Sequence, residues 1–272
     1  KFLAILLAGL MLISLVACGA KYESGLKFGV LEADEIGMKS MVTEEHLAHM
    51  RETHNSSDKA DPQYTHYNNL STALMDLESG KIKNIIVEES TANYIAARNE
   101  KVAITADKCV AYFSMMTMDF NREVYDILNN AIKEMKTDGT LESLIENELK
   151  AYIESDPVAK DLPHFDGART IKIGVTGDLP PMDFVAANGK TAGFNIALLT
   201  EIANRAQVNI ELVQIETGSR PMALSSGKVD AIFWTKSVTC VEHNETWEET
   251  VANTLVTESY FSDASVVVML KS

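Results

Sequence analysis

The chain has 272 residues, 46% of them apolar, and a formal net charge of −15. That length holds one large domain or two modest ones, and the apolar share excludes a disordered chain. So acidic a surface repels phosphate backbones and anionic headgroups, which excludes nucleic acid as a partner and membrane attachment through a basic patch.

Behind Lys1, Phe2 to Val16 form an almost unbroken apolar run. About fifteen residues fall short of a spanning helix and fit the core of a signal peptide. The run ends Leu15-Val16-Ala17-Cys18, and the sequence turns polar after Gly19-Ala20. Small residues before a cysteine resemble the bacterial lipobox. The resemblance implies a lipoprotein signal peptide over 1–17, lipidation at Cys18 and a tether over 18–25. A diacyl anchor carries the two chains that stable attachment needs. The alternatives are a buried helix, or a plain secretory signal with an incidental cysteine. Cys109 and Cys240 are the other two cysteines, and the sequence leaves open whether they pair. Neither has a second Cys or His at ligand spacing, so no metal is expected there.

From Gly25 onward short apolar runs alternate with amphipathic stretches. Leu26 to Leu31 reads as a strand and Gly37 to Thr53 as a polar helix. Within that helix His46, His49 and His54 fit a solvated face better than a metal site. Asp61-Pro62 marks a turn. Leu70, Ala73, Leu74 and Leu77 trace one helical face, with Gly80 placed as a C-cap. Ile85-Ile86-Val87 is a strand, Thr91 to Arg98 a short helix, and Val102-Ala103-Ile104 another strand. This is the rhythm of a sheet flanked by helices. Val110 to Met118 is an extended apolar segment. Asn121 to Met135 and Thr140 to Ile153 are amphipathic helices joined at Asp138-Gly139, and Ser155 to Gly167 is a connector.

A second α/β unit follows. Thr170 to Val175 is a strand, Asp178 to Phe184 a proline-rich loop, and Asn188-Gly189 a tight turn. Asn195 to Ala206 is a helix, Val208 to Ile215 a strand, Ser219 to Ser225 a helix, Val229 to Trp234 a strand, and Ser265 to Leu270 a final strand. The chain also repeats itself. Leu77-Glu78-Ser79-Gly80-Lys81 leading into Ile85-Ile86 lines up with Leu224-Ser225-Ser226-Gly227-Lys228 leading into Ile232-Phe233, which suggests two similar lobes.

Three blocks resemble one family. They are Ile171 to Phe184 with Asn188 to Leu199, then Ala223-Leu224 through Phe233, and Tyr260-Phe261-Ser262-Asp263. With Asn129 to Leu141 they resemble bacterial extracellular solute-binding proteins, family 3, the polar amino-acid receptors of ABC transporters. The resemblance implies a two-lobed periplasmic-binding-protein-like (type II) α/β fold whose lobes are joined by hinge strands, here Val110–Met118 and Ser265–Leu270. The lobe that normally opens such chains here begins at Thr170. The order therefore looks circularly permuted, with one lobe over 26–109 and the other over 110–272. A fragment of a tandem receptor would give the same order.

The implied function is capture of a small polar solute, an amino acid or amine-like molecule, for a membrane ABC permease. It takes place outside the cell membrane, by hinge closure, with no cofactor and no catalysis. Carried over position by position, the ligand contacts are Asp178 and Leu179, then Trp234, Thr235 and Ser237 at a strand end, and Glu88 from the other lobe. Leu179 stands where the family often stacks an aromatic ring. The family's carboxylate-clamping arginine aligns with Glu242, which leaves Lys236 or Arg220 as substitutes. Without such a clamp, the acids Glu32, Asp34, Glu88, Glu89 and Glu242 would favour an amine or cationic ligand. Two other functions share these residues: a receptor for a membrane signalling partner, and a dehydratase-like enzyme using Glu88 and Lys236.

Overall fold

The computed structural model describes residues 27–31, 63–104, 109–153, 155, 158–186, 188–240, 245–248 and 251–271. The expectations placed on the signal peptide, Cys18, Glu32, Asp34, the 37–53 helix with its histidines, and Glu242 fall outside these residues.

The first unit opens with β1 (Lys27–Leu31), flanked in parallel by β2 (Gln63–Tyr67) and β3 (Asn84–Glu88). Between β2 and β3 runs α1 (Leu70–Glu78), which buries Leu70, Ala73 and Leu77 against the sheet. Asn69 caps α1: its Oδ1 accepts from Thr72 N at 2.9 Å, satisfying a first-turn donor. Gly80, at φ +76, leaves the helix in the left-handed region that glycine adopts without a Cβ clash. After β3 come α2 (Glu89–Arg98) and β4 (Val102–Ile104). Next, β5 (Cys109–Met118) leads into α3 (Arg122–Asp138). This helix buries Val124, Leu128, Ala131, Ile132 and Met135 at three- and four-residue spacing. It ends at Gly139 (φ +80), and α4 (Thr140–Leu144) continues as wider, then tighter turns to Tyr152.

The second unit begins with β6 (Thr170–Val175). The segment read as a proline-rich loop is a small sheet: β7 (Asp178–Leu179) and β8 (Asp183–Val185) pair across a turn containing cis Pro180–Pro181, and β9 (Thr191–Ala192) pairs with β8. It is held by buried Asp183, whose carboxylate accepts from Thr176 N at 3.1 Å and Gly177 N at 3.0 Å. Then come α5 (Phe194–Ala206), β10 (Asn209–Gln214), α6 (Arg220–Ser225) and β11 (Ala231–Cys240). They are followed by β12 (Glu245–Glu248), β13 (Thr254–Val256) and β14 (Phe261–Leu270). Gly193 precedes α5 at φ +109, and a Cβ there would strike the backbone of Met182.

The strand order explains the internal repeat. One half reads β2-β1-β3-β14-β4, the other β10-β6-β11-β5-β13. In each, three parallel strands are followed by one antiparallel strand that arrives from the other half, then by a short last strand. The α/β class and the two-lobed, type II architecture therefore hold. Of the expected hinge strands, Val110–Met118 falls on β5 and Ser265–Leu270 is longer than read, since β14 begins at Phe261; the strand read over Val229 to Trp234 also continues, as β11, to Cys240. At their first residues β5 and β14 pair with each other, Cys109 to Phe113 against Ser265 to Phe261, so one ladder runs through both halves. An aromatic cluster fills this junction. Phe113 and Phe261 stack at 5.8 Å, Phe194 lies 5.6 Å from Phe261, and Tyr260 meets Phe233 edge-on at 5.6 Å.

Candidate functional site

Several buried polar groups, Glu88, Ser90, Thr91, Arg220 and Ser265, gather where β3 and β11 reach the junction. Glu88 is the last residue of β3 and the N-cap residue of α2, and it is 2% exposed. It pairs across the ladder with Ser265, which itself pairs with Cys109. Burial pushes the Glu88 carboxyl up to about 8, and the neighbouring Asp263 carboxylate adds to the rise. A hydrogen bond from its own backbone and the positive charge of Arg220 pull the other way.

Asp263, near the start of β14, is held by the first turn of α2: its Oδ2 accepts from Ser90 N at 3.0 Å and from Ser90 Oγ. Its carboxyl is also raised by burial. Arg220, the first residue of α6, is 4% exposed and donates from Nη1 to the carbonyl of Phe233 at 2.7 Å. Glu88 from one half and Arg220 from the other thus share one buried electrostatic neighbourhood. Around it, the Thr91 and Ser265 hydroxyls are buried without a hydrogen-bond partner among the described residues. Each such group costs about 1–3 kcal/mol unless something satisfies it.

The other expected contacts are distributed unequally. Trp234, Thr235 and Lys236 follow Phe233 directly, with Thr235, Lys236 and Ser237 opposite Ser114, Phe113 and Tyr112. Only the strand backbone is described for the first three, and the Ser237 side chain is half-buried. Leu179 is 3% exposed and lies in the main core. Asp178 instead bridges the halves. Its Oδ2 accepts from Leu70 N, at the start of α1, at 3.0 Å, and burial raises its carboxyl. Beside it Phe184 of β8 meets Tyr94 of α2, with ring centres 6.5 Å apart. The small β7–β9 sheet therefore rests on α1 and α2, and a cavity of about 680 Å³ opens under it between those helices.

Asp263 and Ser90 are members that the sequence reading did not single out as site residues. Asp263 was visible only as part of a family block, and what signals its role is a carboxylate near the start of a strand with no other charged residue. Cys109 is disulfide-bonded, and the β5–β11 register, which sets Val110 against Thr239, carries Cys240 to the position across from it. Among the described residues, no group of three or more His, Cys, Asp or Glu is placed to hold a metal ion, and no helix is long and apolar enough to cross a membrane.

Two α/β lobes sharing a continuous ladder and meeting at a buried, charged junction define the two-lobed, type II class of fold. Within that class, residues 171–270 match the family model for bacterial extracellular solute-binding proteins, family 3, which bears out the resemblance read from the sequence. No curated protein matches the chain in sequence. Among solved structures it is similar to a ligand-binding component of an ABC-type import system from Staphylococcus aureus, determined with zinc bound. That match has 9% identity and a TM-score of 0.45, and covers 91% of this chain and 66% of that one. A pheromone cOB1 precursor/lipoprotein of the YaeC family from Enterococcus faecalis gives 12% identity and a TM-score of 0.44, covering 91% and 86%. A periplasmic substrate-binding protein of an ABC transporter from Coxiella burnetii gives 13% and 0.44, covering 90% and 84%.

Proposed function

We propose that the protein captures a small polar solute, an amino acid or amine-like molecule, between its lobes outside the cytoplasmic membrane and hands it to a membrane ABC permease, doing no chemistry on it. The observation that carries this reading is the shared buried neighbourhood of Glu88 and Arg220, one from each half. A ligand ammonium seated against Glu88 and Asp263 gains two acceptors. A ligand carboxylate gains Arg220 and the mid-strand segment Trp234, Thr235, Lys236 and Ser237. Arg220 takes the role left open by Glu242 at the family's arginine position. Asp178 contributes as a contact between the lobes, and Leu179 as apolar wall behind it. The lobe order is read as a circular permutation, and attachment through lipidated Cys18 follows from the lipobox resemblance.

The test is a thermal-shift screen of amino acids, amines and dicarboxylates on the purified protein. A solute at ~100 Kd adds about 2.7 kcal/mol to stability. The expected result is selective stabilisation by one amino acid or amine, lost in Arg220→Ala or Glu88→Gln. Stabilisation by none of the panel, or by a solute indifferent to both variants, rejects the reading.

A further inference from the structure

The cavity beneath the β7–β9 sheet is distinct from the Glu88 neighbourhood, and its walls describe a particular kind of molecule. Its length follows α1, from Leu70 and Ser71 past Leu74 to Glu78, and Tyr94, Ile95 and Arg98 of α2 form the opposite side. At one end stands the Asp178 carboxylate, fixed by Leu70 N. At the other, Lys101 and Arg98 line the cavity, Arg98 with its guanidinium held over the Tyr94 ring and Nη1 donating to the Ile153 and Tyr94 carbonyls, while the acid there, Glu78, is engaged by Asn99 Nδ2 at 3.0 Å. The flanks are hydrocarbon: Leu70 and Ile95 are buried, and Leu74 and Leu270 are partly so. The volume falls within the range of small-molecule sites.

We propose that this groove is a second binding site and that it takes a straight-chain ω-amino acid, its ammonium at Asp178 and its carboxylate at Lys101 and Arg98. The sign of charge at each end sets the direction, and the aliphatic flanks match a methylene spacer rather than a polar one. Along a helix the eight steps from Leu70 to Glu78 span about 12 Å. Removing one hydrogen-bond length at each end leaves about 6 Å from ligand nitrogen to carboxylate oxygen, the reach of about four carbons.

Calorimetry and thermal shift with 4-aminobutanoate test the assignment, with butanoate and butylamine as single-ended controls. The expected result is binding of the zwitterion at least tenfold tighter than either control. Lys101→Glu, at an exposed position, should weaken it at least tenfold and leave unfolding without ligand unchanged. Asp178→Asn should weaken the zwitterion and butylamine but not butanoate. Failure of 4-aminobutanoate to bind, or equal binding of the controls, overturns the proposal. Binding that survives Lys101→Glu but disappears in Glu88→Gln also overturns it and moves the zwitterion to the junction between the lobes. The two readings fail separately: the solute screen above is decided by Arg220→Ala and Glu88→Gln, this one by Lys101→Glu and Asp178→Asn.

Discussion

A carboxyl held near pH 8 inside a protein makes stability depend on pH in a definite direction. Glu88 rises from 4.5 to about 8 on folding, so the folded state binds its proton more tightly than the unfolded chain does. Its stabilising contribution is complete below about pH 4.5 and is lost as pH climbs through about 8. Asp183, raised from 3.8 to about 6, acts with the same sign over a lower window. Thermal unfolding between pH 5 and 8.5 should therefore show a falling Tm, and Glu88→Gln should flatten the upper part of that fall. A Tm for the variant that tracks the wild type across the range would show that Glu88 does not carry it. A ligand ammonium would favour the ionised carboxylate, so solute binding near pH 7 should release protons, measurable by calorimetry in buffers of different ionisation enthalpy. Non-reducing peptide mapping should recover Cys109 joined to Cys240, and Cys109→Ser should cost about 2–4 kcal/mol. At this scale the sequence named Glu88 and Arg220 by position alone. It could not show that β14 would bring Asp263 beside them, because that contact crosses about 175 positions of chain.

Elements with strong apolar periodicity were legible, and those without it were not. The faces of α1 and α3 stood out because their buried residues recur at helical spacing. Strand β2 was missed: in Gln-Tyr-Thr-His-Tyr only Tyr67 is buried, so an edge strand carries no apolar signal. Strands β7 and β8 were read as loop because prolines mask two- and three-residue strands whose pairing is fixed by buried Asp183 rather than by apolar pattern. The Asn69 cap gives a direct check on α1. Asn69→Ala should destabilise the protein by about 1 kcal/mol in chemical denaturation, through loss of the Thr72 hydrogen bond. Gly193→Ala should cost more, since it combines a left-handed backbone with a collision against Met182.

For the molecule as a whole, the repeated Ser-Gly-Lys ending of α1 and α6 was the sequence's best evidence for two like halves, and the matching strand orders explain it. What the sequence left unseen was how completely the halves are joined. β5 and β14 each belong to one half's sheet over their last residues and to each other over their first. No loop separates the lobes there, and neither strand can turn without twisting its neighbour. If the lobes open to admit solute, as proposed, the opening is a modest torsion of a continuous ladder, not a swing on a loose joint. The amide protons of Ala111 and Phe113 sit at the pivot of that torsion, so their exchange rates should gauge how far the clamp opens and should slow when solute holds it shut.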